Sequence, residues 1–559
     1  MDLKIMKKNI IIQGMLVVAF SACILLSSCG NSLSRDDFQY KVNEGIVEIT
    51  KYHGDENEVI IPESIFFGGE SISIDSKTFT SCRDLKKVFI SSDVAEIKGN
   101  PFRDCISLEE IEVSSDNQYY KSIDGILYNK SGSILISCPA RKSLDSFNVP
   151  DGVEEICEYA FNKNDFVKNI NFPSSLKKIG ERAFSSMEEL SEINLSDGLE
   201  SIGDYAFSDN SKISKITIPA SLKTLGVGAF ENCVSLTDVA FKGENVVISS
   251  RAFYNCKSLV RLPEGNITKI EENAFNNCDS LKEVVIFDSV SEVGAHAFDG
   301  CDSLVTLKMG KTTYGESVFA NCSSLKSVHV ESKSGEIPKY AFYSCANLKD
   351  VTFGESIKKI ESYAFAYCGL ENVALGENVK ELGGSVFLGC KKLVSFSMTD
   401  NVSKIGSYLF YDCSVLRTVV LSEKITKIPE YVFCHCLNLT DVNIPEGVFD
   451  IGKYAFFCCR KLPDVNLPQK LTTINDYAFA YCDKFTNVKL PESLTTLKKE
   501  VFANSKGLKT VTIPSGVSSF GADIFKGSNA LETVYVVKGS KADKWISKYP
   551  GSFMLEYMD

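Results

Sequence analysis

The sequence predicts a β-rich α/β solenoid of about 19 coils, with parallel stacked strands and short helical or 3₁₀ turns. One phenylalanine recurs at 19 positions along most of the chain. Of the 18 intervals between these positions, fourteen are 23 residues, two are 22, one is 21 and one is 59. A period held this closely indicates that each unit is one coil of a superhelix. The recurring residues are Phe79, Phe102, Phe161, Phe184, Phe207, Phe230, Phe253, Phe275, Phe298, Phe319, Phe342, Phe365, Phe387, Phe410, Phe433, Phe456, Phe479, Phe502 and Phe525.

The pattern inside one unit predicts the parts of a coil. Residues 439–456 are one copy, and the repeated pattern is close to L-x-x-V-x-I-P-x-x-V-x-x-I-G-x-Y-A-F-x-x-C. The alternation V-x-I predicts a short strand with its apolar residues pointing inward, and the proline ends that strand because it cannot donate to a ladder. The segment V-x-x-I is predicted to cross back over the coil in a partly extended conformation. The spacing of three around the phenylalanine favours one helical or 3₁₀ turn that closes the coil.

Composition and charge narrow the class of partner. The chain has 559 residues, of which 44% are apolar and 24% are charged, as is typical of a folded protein. The net charge is −12; residues 1–28 carry three lysines and one aspartate, a net +2, so the remainder carries −14. An acidic body of this kind argues against nucleic acid or an anionic lipid surface as the main partner.

Residues 1–28 have the pattern of a lipoprotein signal peptide. A short basic segment precedes an apolar run over residues 10–26, as in secretory signals. Leu26, two serines and Cys29 resemble the bacterial lipobox, which implies that Cys29 is lipidated and that its acyl chains anchor the protein in the membrane. The alternative is an uncleaved membrane anchor, for which the 17-residue run is short. Residues 29–37 are small and polar and are interpreted as a tether; residues 34–37 loosely resemble the surface-export signal of Bacteroidetes lipoproteins, which implies exposure on the outer membrane.

The rest of the chain divides into a cap, an array and a second cap. Residues 38–70 alternate between apolar and polar residues and predict an N-terminal β cap, which would cover the first coil. Residues 71–538 hold the repeats, with an insert at about 114–149 inside the long interval. Two β-rich runs around residues 129–132 predict a hairpin there, either built into a coil or protruding as a recognition element. Residues 539–559 are interpreted as a C-terminal cap with a short helix whose Trp545 covers the last coil.

The repeated pattern resembles the BspA-like class of leucine-rich repeats, found in bacterial surface proteins and some parasitic protists. The resemblance covers about residues 38–540, which is nearly all of the chain after the signal peptide. It implies a leucine-rich-repeat superhelix and a function in adhesion to host matrix proteins, host cells or other bacteria. It implies no catalytic residues, because the family has none in common.

Fourteen of the 20 cysteines lie three residues after the recurring phenylalanine, and from Cys233 to Cys482 they form an unbroken column. Adjacent members would lie about 5 Å apart, which is within reach of a disulfide, and an exported protein permits disulfides. A column that repeats one small apolar side chain favours buried free thiols instead.

No catalytic or metal-binding motif is found in the sequence. Residues 434–436 (Cys-His-Cys) and 458–459 (Cys-Cys) have the composition of a metal cluster, but their spacing matches no zinc signature. Four histidines are few for an acid–base enzyme, and no nucleophile elbow, zinc-protease or phosphate-loop motif is present. We therefore expect no metal, no cofactor and no enzymatic activity.

A row of tyrosines is the candidate binding site. These tyrosines lie two residues before the recurring phenylalanine, with Ser385 at the one break. Either each ring packs over its neighbour and stabilises the stack, or the row is an aromatic ridge that contacts a protein or a glycan. The candidate ridge residues are Tyr340, Tyr363, Tyr408, Tyr431, Tyr454 and Tyr477.

Together these features predict a lipid-anchored, monomeric surface protein that acts as an adhesin or protein-binding module. One alternative is a surface lipoprotein that binds glycans through the tyrosine row. Another is a passive structural spacer.

Overall fold

The structure is a computed structural model that describes residues 35–549 and 551–558. The signal peptide predicted for residues 1–28, the lipidation site Cys29 and most of the tether lie outside these residues. Among the residues that are described, none lies in a helix long and apolar enough to cross a membrane.

The fold is a β-solenoid of stacked parallel strands with about 22 turns, which confirms the predicted fold class. The sequence count of about 19 was lower because it required a phenylalanine in every coil. For example, the strands Ile46–Tyr52 and Glu58–Ile61 belong to no phenylalanine coil, yet they pair in parallel with Ser71–Ile74 and Lys87–Ile90.

The chain divides into two compact units, and the first comprises residues up to 168 together with 175–188. Its first two strands are antiparallel and the later ones stack mostly in parallel. Its 3₁₀ helices are Arg35–Asp37 and Ser64–Phe66. Its strands are Phe38–Asn43, Ile46–Tyr52, Glu58–Ile61, Ser71–Ile74, Lys87–Ile90, Val94–Ile97, Glu110–Val113, Tyr120–Ile123, Ile126–Asn129, Ile134–Ser137, Ser146–Asn148, Glu155–Ile156 and Lys178–Ile179.

The insert of the first unit forms a three-stranded antiparallel meander. Ile126–Asn129 pairs with Tyr120–Ile123 on one side and with Ile134–Ser137 on the other. The side chain of Asn129 holds the second turn, because its Oδ1 accepts hydrogen bonds from the amides of Gly132 at 2.9 Å and Ile134 at 3.0 Å. Ile134–Ser137 then pairs in parallel with Glu155–Ile156, so the meander is continuous with the coils that follow.

The second unit comprises residues 169–174 and 189–559, and each of its regular coils supplies two strands. The V-x-I strands form what we call the first ladder, and the strands that end at the next isoleucine form the second ladder. The first ladder contains Asn169–Asn171, Glu192–Asn194, Lys215–Ile218, Asp238–Phe241, Glu283–Val285, Thr306–Lys308, Ser327–Val330, Asp350–Phe353, Asn372–Ala374, Ser395–Ser397, Thr418–Val420, Asp441–Val442, Asn487–Lys489, Thr510–Ile513, Thr533–Val537 and Met554–Met558. The second contains Ser201–Ile202, Thr224–Leu225, Val246–Ile248, Ile267–Ile270, Glu292–Val293, Thr313–Tyr314, Glu336–Ile337, Lys359–Ile360, Glu381–Leu382, Lys404–Ile405, Lys427–Ile428, Asp450–Ile451, Thr473–Ile474, Thr496–Leu497 and Ser519–Phe520.

The core of the second unit is a column of stacked phenylalanine rings. From Phe207 to Phe525 successive rings lie parallel, with centroids 5.0–6.2 Å apart. Phe365, for example, is fully buried between Phe342 at 5.3 Å and Phe387 at 6.1 Å. Each ring therefore contacts its equivalents in the neighbouring coils, which is the nearest-neighbour packing expected of a repeat array.

At the end of the second unit the helix α1 (Lys541–Ile546) packs against the last coil. The Trp545 ring stacks on Phe520 with centroids 4.5 Å apart, and Ile546 is buried. The strand Met554–Met558 then pairs in parallel with Thr533–Val537. The chain after residue 538 thus extends the first ladder and covers the core.

Candidate interaction surface

The backbone conformation of the turn around each recurring phenylalanine determines where the tyrosine side chains lie. In the turn of Phe410, the amides of Tyr408, Phe410 and Asp412 donate to carbonyls of the following coil at 3.0, 2.9 and 2.9 Å. Tyr408 and Asp412 adopt left-handed backbone conformations, with φ of 61° and 59°. These two residues interrupt the turn, which is why it has single i+3→i hydrogen bonds, such as Cys413 to Phe410, rather than a continuous helix.

The six predicted ridge residues share the left-handed conformation, with φ between 55° and 61°. This conformation costs a non-glycine residue about 1–2 kcal/mol. Stacking of neighbouring rings is worth about 0.5–1.5 kcal/mol per pair beyond burial, so it offsets much of that cost. Ring stacking is therefore a structural reason for the recurrence of tyrosine at a position where the backbone conformation is unfavourable.

The structure brings the ridge residues together as two stacks of parallel rings. Tyr340 stacks on Tyr363 with centroids 4.8 Å apart. The second stack runs through Tyr408, Tyr431, Tyr454 and Tyr477, with successive centroids at 4.5, 4.8 and 4.7 Å. The buried Ser385 separates the two stacks. Because the ring faces cover one another, the stacks present ring edges and hydroxyl groups to solvent.

A second column of aromatic residues borders the stacks. It lies one or two residues after the recurring phenylalanine, and its rings contact the stacks and one another edge-on, with centroids 5.1–5.8 Å apart. Tyr367 is 46% exposed, and the other members of the column are half-buried. The spacing of His435 and Phe457 from the recurring phenylalanine was the signal that could have identified them from the sequence. The two columns, here called the aromatic surface, comprise Tyr340, Tyr343, Tyr363, Tyr367, Tyr408, Tyr411, Tyr431, His435, Tyr454, Phe457, Tyr477 and Tyr481.

Burial raises the pKa of several tyrosine hydroxyl groups of the aromatic surface. Burial, with the neighbouring Tyr408 and Tyr454 hydroxyls adding to it, raises the pKa of Tyr431 to about 12. Burial also raises the pKa of Tyr408 and Tyr454. The Tyr477 hydroxyl donates to Oε1 of Glu500 at 2.9 Å. Tyr408, Tyr431 and Tyr454 therefore carry neutral hydroxyl groups that can donate or accept hydrogen bonds.

Lysine side chains lie against both ends of this surface. The Nζ atom of Lys339 lies 5.0 Å from the ring centroid of Tyr340, and that of Lys499 lies 5.6 Å from the ring of Tyr477. These contacts have cation–π geometry. The end residues of the row thus contact cations through their rings.

The column cysteines are free thiols that satisfy backbone carbonyls. The Sγ atom of each donates to the carbonyl of the recurring phenylalanine one coil earlier; Cys413 donates to Phe387 at 3.1 Å and Cys436 to Phe410 at 3.2 Å. Ser505 and Ser528 take the same position near the end of the array, and their hydroxyls donate to Phe479 and Phe502 at 3.1 and 2.7 Å. From Cys233 to Ser528 the position therefore always holds a small side chain that can donate a hydrogen bond.

Replacing Cys413 with serine is expected to destabilise the protein less than replacing it with alanine, by about 1 kcal/mol, because only serine keeps a donor for the Phe387 carbonyl. Thermal unfolding of the two variants, compared with the unchanged chain, measures this difference. An alanine variant as stable as the serine variant would show that packing alone determines the residue at this position.

Residues 434–436 and 458–459 do not assemble into a metal site. The described part of the chain contains no group of three or more histidine, cysteine or acidic side chains that could hold a metal ion. Cys436 and Cys459 belong to the buried column and donate to backbone carbonyls. The His435 ring instead packs between Tyr411 and Phe457, with centroids 5.8 and 5.7 Å away.

Comparison with known proteins agrees with this architecture. A family model described as the BspA type leucine-rich repeat region matches residues 56–131, 133–260, 259–368, 335–459 and 403–532. No curated protein matches the chain.

Several solved structures are similar to the chain. A leucine-rich repeat protein from Bacteroides ovatus is 24% identical, with 79% of this chain and 98% of that chain covered and a TM-score of 0.47. A leucine-rich cell surface protein from Faecalibacterium prausnitzii is 16% identical, with 94% and 100% covered and a TM-score of 0.34. The pneumococcal vaccine antigen PcpA is 16% identical, with 95% and 99% covered and a TM-score of 0.34.

Proposed function

We propose, on the premise that this chain belongs to the BspA type leucine-rich repeat family, that it is a lipid-anchored surface protein which binds protein partners. Proteins with leucine-rich repeats generally act in protein interaction. The finer proposal is adhesion to host matrix proteins, host cells or other bacteria, with Cys29 carrying the lipid anchor on the outer membrane. The repeat architecture is typical of a non-enzymatic scaffold.

The observation that carries this proposal is the aromatic surface. Exposed aromatic side chains are enriched at protein interfaces, where they combine a large apolar area with a polar tip. Here they are held rigidly by stacking, with centroids as close as 4.5 Å. The aromatic side chains of this protein would therefore lose little conformational entropy when a partner binds.

The same geometry favours a protein over a glycan as the partner. A sugar ring that binds an aromatic residue packs against the flat face of that ring. The faces within the stacks are covered by neighbouring rings, and Lys339 and Lys499 lie against the outer end residues Tyr340 and Tyr477. Apart from the faces of Tyr363 and Tyr408 at the Ser385 break, the rings offer mainly edges and hydroxyls, and these suit the side chains and backbone of a protein.

The test is a variant in which Tyr408, Tyr431, Tyr454 and Tyr477 are all replaced with phenylalanine. Phenylalanine keeps the stack and removes the hydroxyls, so we expect thermal stability to change little and partner affinity to fall at least about tenfold. Binding is measured on purified matrix proteins, such as fibronectin and collagen, and on a glycan array.

The matched control replaces Phe457 with tyrosine, which adds a hydroxyl to the same surface and should leave binding within about threefold. Binding of the tetra-phenylalanine variant with unchanged affinity would contradict a role for the hydroxyl row. If the unchanged chain binds none of the matrix proteins, the result would favour a passive structural spacer. Binding to glycans alone would favour a glycan-binding surface lipoprotein.

A further inference from the structure

One coil of the second unit lacks its first strand and is one residue shorter than most coils. The coils that end at Phe319 and Phe387 are also short, but they keep this strand, as Thr306–Lys308 and Asn372–Ala374. The interval between Phe253 and Phe275 is 22 residues, and the coil reads Leu-Val-Arg-Leu-Pro-Glu-Gly-Asn-Ile over residues 259–267. The distance from the first leucine, Leu259, to the isoleucine that ends the second strand, Ile270, is one residue shorter than in residues 439–451. In place of a strand, the coil forms two isolated bridges, Ala240 with Glu264 and Arg261 with Glu283.

The missing strand leaves one edge of the next strand, Glu283–Val285, largely unpaired. The carbonyl of Lys282 accepts backbone hydrogen bonds from the following coil, and the amide of Ile286 donates one to it. The amide of Lys282 donates to the carbonyl of Val260 in the short coil at 3.3 Å. Because backbone groups alternate between the two sides of a strand, the amide and carbonyl of Val285 face the short coil. Among the described residues, Val285 has no bridge partner on that side. An extended segment from another molecule could pair with this edge.

The same gap opens a cleft of about 420 Å³ between the two coils. This volume lies within the usual range for ligand sites, about 300–1,000 Å³. Leu262, Pro263, Ile267, Val285 and Ile286 supply an apolar wall. The neighbouring Phe287 stands where other coils have the strand-ending proline, and its side chain is 63% exposed at the rim.

A second lapse in the first ladder is not accompanied by a cleft of this size. Residues 464–467 also form no strand, but that coil keeps the full 23-residue interval from Phe456 to Phe479. The space beside it is only about 10 Å³. In the short coil, Gly265 has a φ of 144°, and a Cβ atom there would lie 3.0 Å from Cβ of Phe241. A glycine is therefore needed to make this sharp return.

The charged residues that line the cleft are Arg261 and Glu283. The guanidinium of Arg261 is held by Asp238 at 2.9 Å and by Glu264 at 3.1 Å. The exposed carboxylate of Glu283 forms no ion pair or side-chain hydrogen bond within residues 35–549 and 551–558. A basic group on a ligand would therefore meet an unpaired carboxylate beside an apolar wall, which is a complementary arrangement.

We propose that this cleft binds an extended peptide segment of a partner protein, which pairs with the edge of Val285, inserts an apolar side chain beside Phe287 and places a basic residue on Glu283. The proposal rests on the protein-binding function proposed above but uses none of the residues of the aromatic surface. It assigns a second, peptide-recognising site to the array.

The test is selection of random heptapeptides displayed on phage against the purified chain, followed by fluorescence anisotropy with a labelled selected peptide. We expect the enriched peptides to carry an aliphatic or aromatic residue next to lysine or arginine. Val285→Trp fills the cleft and should weaken peptide binding at least about tenfold. Glu283→Arg reverses an exposed charge and should also weaken it at least about tenfold, with little risk to folding.

The matched control is Val420→Trp. Val420 occupies the same outward position in the strand Thr418–Val420, whose neighbours on both sides are paired, and it is 52% exposed. This variant should bind the peptide normally, and so should the tetra-phenylalanine variant of the aromatic surface. The proposal is overturned if no peptide is enriched on the unchanged chain, or if the Glu283→Arg and Val285→Trp variants bind the selected peptides as tightly as Val420→Trp does.

Discussion

Raising the pH above about 9 is expected to unfold the array steeply, because its buried thiols keep protons that the unfolded chain releases. Burial raises the pKa of Cys233 and Cys390 to about 12. It raises the pKa of seven other column thiols well above the ordinary value of a cysteine: Cys256, Cys278, Cys301, Cys413, Cys436, Cys459 and Cys482. Cys322, Cys345 and Cys368 are not counted, because hydrogen bonds among their thiols lower the pKa of Cys345 while they raise the pKa of the other two.

The sign follows from which state binds more protons. An unfolded cysteine titrates near pH 8.5, whereas the folded thiols titrate higher. Their stabilisation is fully present below the unfolded pKa and is lost as the pH rises toward the folded values. Each thiol removes about 1.4 kcal/mol of stability per pH unit in this window, so these nine together remove up to roughly 12 kcal/mol per unit. That is comparable with the whole stability of a typical domain, about 5–15 kcal/mol.

The measurement is far-ultraviolet circular dichroism from pH 7 to 12 under reducing, oxygen-free conditions, together with thiolate absorbance near 240 nm. The two signals should change together, since the thiols ionise only when the coils open. A variant with Cys413, Cys436 and Cys459 replaced by serine should unfold less steeply and at higher pH. Thiolate absorbance that rises while the dichroism is unchanged would show that the column ionises in the folded protein.

Replacing Phe433 with alanine is expected to lower the free energy of unfolding by about 3–5 kcal/mol. Phe433 is fully buried, and its ring lies 5.6 Å from Phe410 and 5.0 Å from Phe456. Truncation would leave a cavity in the column and remove both stacking contacts. Because neighbouring coils are fixed through these contacts, little relaxation into the cavity is expected.

Guanidinium chloride unfolding, followed by tyrosine fluorescence and by circular dichroism, measures this loss. The matched control is Phe449→Ala in the following coil, where the ring is 39% exposed and lies under Lys427. It should cost less than about 1 kcal/mol. Equal losses for the two variants would contradict the central place of the phenylalanine column in the stability of the array.

Strict periodicity made the fold predictable from the sequence. A phenylalanine every 23 residues and the alternation V-x-I identify one coil and its strand, and both were found as expected. The closing turn was less predictable, because its two left-handed residues depend on hydrogen bonds to the next coil. Asn232 and Asn255 at such positions were the available signal, since asparagine tolerates this conformation better than most residues.

The candidate surface was predictable in its composition but not in its geometry. The row from Tyr340 to Tyr477 could be predicted from the spacing of these tyrosines before the recurring phenylalanine. The sequence left open whether ring faces or ring edges reach solvent. The answer depends on the left-handed backbone, which stacks the rings along the array. The cleft beside Val285 was not predicted, because three coils are one or two residues short and the interval alone does not distinguish the one that lines the cleft.

The hydrogen bonds between coils also determine how the array would respond to mechanical load. Within the second unit these bonds run from each coil to the next, so tension that separates the two ends of the unit acts along the bonds and opens them one coil at a time. Each coil that yields frees 23 residues, or about 80 Å of extended chain. An array tethered at one end and attached to a partner at the other would lengthen in steps of this size. Each step would lower the force on the attachment to the partner.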